Sequence, residues 1–404
     1  MTAQLRVGIP PVGMNARLLT VNFIAKIFEN PRIEVEILNP NIVLITADTI
    51  DQLTSAINST IKEIGNRLGK KLEKGKIQDF FMHKNDRNTF GKLIGQNLSK
   101  GARFCETLAT ALQRVNLMWN DLQKLEPAYI IEKPQEIILG DKDFALPMEI
   151  LYERYEAKYE FLKGRGGRKI KFRGSRAWLY ILLSGFALGY GGIYGNEMLQ
   201  VYLSEDILSK ENIEVIKLLI GEGGVIDIIT TLRVPPRPVI PYFLYITCEV
   251  LKIFREKGLI SNLLKGPSII QIDRVSVGRA ISLIEKLVLD LSPFLERLNK
   301  LEELYEHKKI KRSPLKWISN KARRTITLLW QGNPGYGAYS KLMIEIYNIL
   351  QGASEPIDLC YYALREVAEF EVAKLEETSP AKASKYLHEE ATNIEEFLKA
   401  FMII

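Results

Sequence analysis

Apolar and polar residues alternate in short blocks at the start of the chain, and each block carries the period of one element. Leu5 to Ile9 is an apolar run closed by Pro10 and Pro11, which predicts a strand. Asn15 to Glu29 repeats apolar residues at helical spacing through Leu18, Leu19, Phe23, Ile24 and Ile27. Ile33 to Leu38 alternates apolar with charged residues, Asn39-Pro40-Asn41 is a turn signal, and Ile42 to Ala47 is a near-continuous apolar strand, so two strands form a hairpin. Asp48 then stands as the N-cap of a helix through Ile50, Leu53, Ile57, Ile61 and Ile64, ending near Gly65 and Gly69. The order strand, helix, strand, strand, helix is that of a ferredoxin-like unit.

From Phe80 to Lys124 the period is helical, with Leu98, Phe104, Leu108, Leu112, Val115 and Trp119 on one face. Pro127, Pro134 and Pro147 punctuate a loop-rich stretch that holds one short strand, Glu136 to Leu139. Ala177 to Asn196 carries no charge and reads as a buried helix with a glycine-rich exit. Beyond it the pattern is almost wholly helical, and its clearest member spans Val275 to Tyr305, with Pro293 as a kink. The expected architecture is α+β: a ferredoxin-like N-terminal domain over residues 1–160, a basic glycine-rich loop or linker over 161–176, and a helical bundle over 177–404.

With 47% hydrophobic and 25% charged residues, the chain falls outside the collagen-like and disordered classes. Cys105, Cys248 and Cys360 are odd in number and far apart, which excludes a disulfide framework and a cysteine zinc site and places the chain in reducing cytoplasm. Met1 to Arg6 reaches a charge before any long apolar run, so no signal peptide is expected.

A net charge of +7 suggests a polyanionic partner, and its distribution sharpens that reading. Lys163, Arg165, Arg168, Lys169, Lys171, Arg173 and Arg176 fall within fourteen residues that hold four glycines and no acid. Their mutual repulsion would fall against phosphates, as in a mobile phosphate-gripping loop. A second acid-free run, Lys308 to Arg324, holds eight cations, among them Lys311, Arg312, Lys316, Lys321, Arg323 and Arg324. Trp317 sits inside it, offering a stacking face beside cations that hold a phosphate backbone; the alternative is that Trp317 belongs to the core and the lysines are solvated. A weaker patch, Arg67, Lys70, Lys71, Lys74 and Lys76, reads equally as a helix terminus. The Pro-rich segment Arg233 to Pro241 reads as a rigid connector. The sign then inverts. Nine glutamates against three lysines between Glu366 and Glu396 make an acidic helical pair, suited to solvent or to a basic protein partner.

Catalytic motifs are weak. His388-Glu389-Glu390 is not HExxH, since Thr392 stands where a second histidine would be, and His83 and His307 are isolated. Gly185, Gly189, Gly191, Gly192 and Gly195 miss the GxGxxG spacing and follow a helical run, which favours a close helix contact over a nucleotide loop. Asp141-Lys142-Asp143 reads as a solvated turn. No cofactor or metal is expected.

The strand-helix-strand-strand-helix start, the basic glycine-rich middle, the aromatic and glycine stretch Trp178 to Gly195 and a helical second half without a catalytic motif together resemble the large subunits of archaeal type I-A CRISPR Cascade complexes. The resemblance is one of plan over most of the chain. It implies a non-catalytic subunit near the 5′ end of a guide RNA that senses a duplex motif beside the target DNA, contacts other Cascade subunits and helps recruit a separate helicase-nuclease. The site residues come from charge and spacing alone: the fourteen from Lys163 to Arg176 and from Lys311 to Arg324 named above, with Trp317 stacking or wedging. Two rival readings are a metal-dependent nucleic-acid-processing enzyme, separated by activity with Mg²⁺ or Mn²⁺, and a membrane-associated protein anchored through residues 177–195, separated by solubility without detergent.

Overall fold

The computed structural model describes residues 2–11, 14–126, 130–133, 136–147, 150–151, 171–204, 213–221, 223–231, 239–264, 269–277, 282–376 and 379–403. The protein is α+β and divides into two compact units, Met1–Arg233 with Ile269–Leu289, and Val234–Ser268 with Asp290–Ile404.

In the first unit, β1 (Ala3–Gly8), α1 (Asn15–Ile27), β2 (Glu34–Asn39), β3 (Ile42–Ala47) and α2 (Ile50–Glu73) follow in the expected order. Ala3, Leu5 and Val7 of β1 and Val43, Ile45 and Ala47 of β3 point inward, and their alternation fixes an antiparallel register from Ala3 opposite Ala47 to Gly8 opposite Ile42. The sheet order is β1-β3-β2, with three strands. Thr49, one residue beyond the expected Asp48, caps α2 by accepting from the Gln52 backbone N–H at 3.1 Å. The chain then enters α3 (Lys84–Ile94), α4 (Phe104–Gln113) and the one-turn α5 (Trp119–Leu122) rather than one continuous helix.

A second sheet holds β4 (Ile130–Lys133), β5 (Glu136–Leu139), β6 (Phe144–Ala145) and β7 (Lys171–Gly174) in the order β4-β5-β7-β6. The last part of the expected basic linker is therefore a strand. Phe172 and Gly174 are buried while Lys171 faces out, and β7 runs parallel to β5 with Lys171 opposite Glu136. Ser175 then caps α6 (Arg176–Gly189) by accepting from the Trp178 backbone N–H at 3.3 Å.

Helix α6 is the buried helix the sequence predicts, and its packing moves the expected domain boundary. It lies against α1, where a Cβ added to Gly185 would stand 2.0 Å from the Leu19 carbonyl oxygen. Only glycine permits that approach, so α6 belongs to the first unit and not to a downstream bundle. Its glycine-rich exit continues as β8 (Tyr190–Tyr194) and β9 (Glu197–Leu203). Short helices α7 (Ile213–Ile220) and α8 (Val225–Thr231) follow, and the sheet is completed by β10 (Ile269–Ser276) and β11 (Ser282–Asp290) in the order β11-β10-β9-β8. Strand β10 pairs antiparallel with β9 from Ile270 opposite Leu203 to Ser276 opposite Glu197. Buried Asn22 joins α1 to this sheet: its amide donates to the Val201 carbonyl at 3.1 Å, and its oxygen accepts from the Leu203 backbone N–H at 3.0 Å.

This sheet overturns the expectation that the chain is helical beyond Ala177. The stripe from Val275 to Tyr305 is strand to Asp290, followed by α11 below, in whose first turn Pro293 sits without kinking it.

The second unit is helical: α9 (Val239–Glu256), α10 (Ile260–Leu263), α11 (Ser292–Glu306), α12 (Pro314–Trp330), α13 (Tyr336–Gln351), a π-helical stretch Tyr361–Val367, α14 (Ala368–Glu376) and α15 (Pro380–Ile403). Helix α12 is its centre, packing against α9, α11, α13 and α15. No helix among the described residues is long and apolar enough to cross a membrane, the anchor considered at 177–195 included.

Candidate nucleic-acid interface

The basic run Lys308 to Arg324 begins in the turn after α11. Lys308 adopts a left-handed backbone with φ 56°, and Ser313 caps α12 by accepting from the Lys316 backbone N–H at 3.1 Å. Buried Glu302 of α11 accepts from the Ser313 hydroxyl at 2.7 Å and from the Leu315 backbone N–H at 3.1 Å. That carboxylate lies against the positive end of α12 and fixes the turn.

Helix α12 then sorts its residues by face. Trp317 and Lys321 turn inward at i and i+4, and Arg324 at i+7 lies half-exposed at the edge of the same face. Trp317 is only 6% exposed; its indole packs against Phe397 with ring centroids 5.3 Å apart, and its Nε1 donates to Glu390 Oε1 at 3.2 Å. Lys321 is 7% exposed, pairs with Glu390 Oε2 at 2.9 Å and donates to the Tyr386 hydroxyl at 3.0 Å. Burial would lower its pKa, but Glu390 and Tyr386 outweigh that effect and raise it above the ordinary lysine value. Arg324 pairs with Glu371 at 3.2 Å, and Glu371 also accepts from the Tyr339 hydroxyl at 2.8 Å.

These contacts correct the sequence expectation for Trp317 and Lys321, while Arg324 keeps part of its side chain exposed beside Glu371. The tryptophan is part of the core, not a stacking platform, and the two cations are neutralised within the chain. The acidic C-terminal helices, expected to face solvent or another protein, supply the counter-charges. Glu390 and Glu396 of α15 are both buried, and Glu396 accepts from the backbone N–H of Lys311.

The opposite face of α12 carries Lys316, Asn320, Arg323, Thr327 and Trp330, all exposed at i, i+4, i+7, i+11 and i+14. With Lys308, Lys309, Lys311 and Arg312 on the preceding turn, it presents six exposed cations that form no ion pair among the described residues. Trp330, 56% exposed, is the aromatic on this face. A polar cavity of about 540 Å³ opens between α9, α11 and α12, lined by Glu249, Lys252, Arg255, Lys316, Ser319 and Asn320 among others. Cys248 also lines it, and burial pushes its thiol well above the ordinary pKa. Glu249 accepts from the Ser319 hydroxyl at 2.7 Å.

In the first basic segment, Lys163, Arg165, Arg168 and Lys169 lie outside the described residues. Lys171 is exposed on β7, Arg173 stands 4.0 Å from Glu136, and the Arg176 guanidinium lies 6.0 Å from the Tyr180 ring centroid. The weaker patch around Arg67 is the end of α2, where Arg67 and Lys71 pair with Asp227 at 2.7 and 2.9 Å. Burial would raise the Asp227 pKa, yet Lys71 and Arg67 hold it well below the usual carboxylate range.

Asp141 and Asp143 share the ammonium of Lys124 at 2.9 and 3.6 Å, and the Lys124 hydrogen bond holds the Asp141 carboxyl below its ordinary value. A lysine thus occupies the centre of the one DxD. Among the described residues no three His, Cys, Asp or Glu side chains group as metal ligands. Compared with protein-family models, curated proteins and solved structures, the chain finds no match in any of the three.

Proposed function

We propose that the chain is a non-catalytic, nucleic-acid-binding subunit of a cytoplasmic ribonucleoprotein effector, similar in role to the large subunit of a type I-A CRISPR Cascade complex. The ferredoxin-like character of the first unit belongs to this proposal, supported by the β1-β3-β2 order and the two helices that follow β1 and β3. Guide RNA, target DNA, other Cascade subunits and a helicase-nuclease are the partners this reading implies.

One observation carries the binding reading: the solvent face of α12 and its preceding turn keep six cations exposed without an ion pair among the described residues, while the four carboxylates that bond directly to this segment, Glu302, Glu371, Glu390 and Glu396, are buried or half-buried. Such sorting leaves a positive strip with Trp330 at one end, a combination that suits a phosphate backbone with an adjacent base.

Titration of the full chain with labelled single strands and duplexes over a series of salt concentrations tests it. Affinity should fall with salt by a log–log slope of about 0.7 per phosphate contact on a single strand or about 0.9 on duplex. Lys316→Glu combined with Arg323→Glu should flatten that slope, and labelled strands should remain intact with Mg²⁺ or Mn²⁺. Absence of binding at low salt, or an unchanged slope in the variant, overturns the proposal.

A further inference from the structure

The first unit carries an aromatic that the core does not explain. Phe80 and Phe81 are adjacent, yet Phe80 is buried and Phe81 is 63% exposed. Two backbone hydrogen bonds, Met82 N–H to the Ala102 carbonyl and Phe104 N–H to the Phe80 carbonyl, both 2.9 Å, clamp residues 80–82 antiparallel to 102–104. Behind them Phe80 stacks on Phe104 at 5.0 Å, and Phe104 meets Phe90 and Phe186 edge-on, each at 5.4 Å. Phe81 is therefore held outward on a rigid mount. The Arg103 guanidinium lies over its ring at 4.0 Å from the centroid.

Along the chain between Phe81 and Arg103 lie Lys84, Arg87, Lys92 and Lys100 and one acid, Asp86, which is buried in the first turn of α3. Lys92 is engaged by the Asp143 carbonyl and the Phe144 ring and Arg87 by the Ser99 carbonyl, so Lys84 and Lys100 are the lysines left exposed there beside Arg103, with Glu106 the exposed acid next to it. The neighbouring Asp79 carboxylate accepts from the backbone N–H groups of Phe80, Cys105 and Glu106 at 2.7, 2.8 and 2.9 Å, where it is drawn to the N-terminus of α4. Beside the Phe81–Arg103 pair opens a cavity of about 450 Å³, whose lining includes Gln78, His83 and Asn196. The Gln78 and Asn196 side chains are exposed, with carboxamides able to donate and accept.

We propose that this face binds single-stranded nucleic acid, taking one unpaired base against Phe81 with Arg103 and its neighbouring lysines on the phosphates and the two carboxamides on the base edge. The inference rests on the nucleic-acid reading above but assigns a site to the first unit that the charge pattern of the sequence does not. A stacked aromatic–arginine pair takes any base through its π-face. A duplex keeps its bases stacked on one another and cannot offer one, so the strand must be single.

The test compares the full chain with Phe81→Ala, with Phe81→Trp and with the Lys316→Glu, Arg323→Glu variant in binding of a labelled oligothymidylate and an oligouridylate. Phe81→Ala should weaken binding roughly 5- to 150-fold, the loss of one base stack, without changing the salt slope or the melting temperature. Phe81→Trp should keep the affinity. Wild-type affinity in Phe81→Ala overturns the site, whether the face then serves a protein or nothing. If oligonucleotide binding responds only to the α12 variant, this inference falls and the proposed function stands. If the wild-type chain binds no strand at low salt, both fall.

Discussion

Trp317 and Glu390 form a single unit: the indole N–H donates at 3.2 Å to the carboxylate oxygen next to the one that holds Lys321. One carboxylate thereby satisfies a buried aromatic and a buried cation. The most basic stretch described in the second unit is anchored by its most acidic one.

Truncating the indole should therefore unfold the second unit rather than weaken a ligand. Trp317→Ala is expected to cost roughly 3–5 kcal/mol, as large-to-small core changes do. Chemical denaturation measures this, and a loss under about 1 kcal/mol would contradict the buried position.

Removing Lys321 isolates a carboxylate that is 3% exposed. Lys321→Met should cost about 3–5 kcal/mol, the range for breaking one side of a buried pair. Adding Glu390→Gln should restore a good part of the loss, since the neutral amide keeps an acceptor for Trp317 without a buried charge. A double variant no more stable than the single one would exclude this coupling.

The Asp227 site gives the first unit an acid-sensitive contact. Its folded pKa is depressed below the unfolded value, so the stabilisation is fully present above about pH 4 and is lost as pH falls through the folded value. Asp227→Asn should be less stable than wild type at neutral pH, and the gap should narrow progressively below pH of about 4. Unfolding followed across pH checks the sign: a gap that widens in acid would be inconsistent with it.

Gly185→Ala should be among the most damaging single-methyl additions in the chain. The new Cβ would meet a backbone carbonyl of α1 that no rotamer change can move, placing the cost at the upper end of the roughly 1–3 kcal/mol typical of overpacking. Thermal unfolding of this variant beside Gly195→Ala, whose added Cβ meets no atom within 4 Å but whose φ of 62° is strained, separates packing from backbone preference.

The β1-α1-β2-β3-α2 start was legible because each element is announced by a local period, two for Leu5 and Val7, near four for Leu53, Ile57 and Ile61. The same logic misled at Ser282 to Asp290. Leu283, Ile284, Leu287, Val288 and Leu291 fit the i, i+4 template, yet most of them line an edge strand whose neighbour β10 pairs with residues near position 200. Non-local pairing leaves no mark at helical range. In the candidate site the charge run was legible but its division between faces was not, although Trp317, Lys321 and Leu328 share the spacing of one buried stripe. The polar partners of this face, Glu390 for Trp317 and Lys321 and Glu371 for Arg324, lie some fifty to seventy residues further on, visible only when both runs are considered as one balance.

The interruption of the first unit by residues 234–268 has a consequence for synthesis. While the ribosome is still translating α9, every strand of that unit up to β9 is already made, but β9 has β8 on one side and a bare edge on the other until Ile269–Ser276 emerges. A nascent chain in that interval exposes the backbone of Met198 to Leu203, an apolar run rich in β-formers and a template for pairing with another chain. Fragments that stop between 204 and 268 should aggregate for the same reason, and productive folding must wait for residue 276, well after the N-terminal sheet is complete.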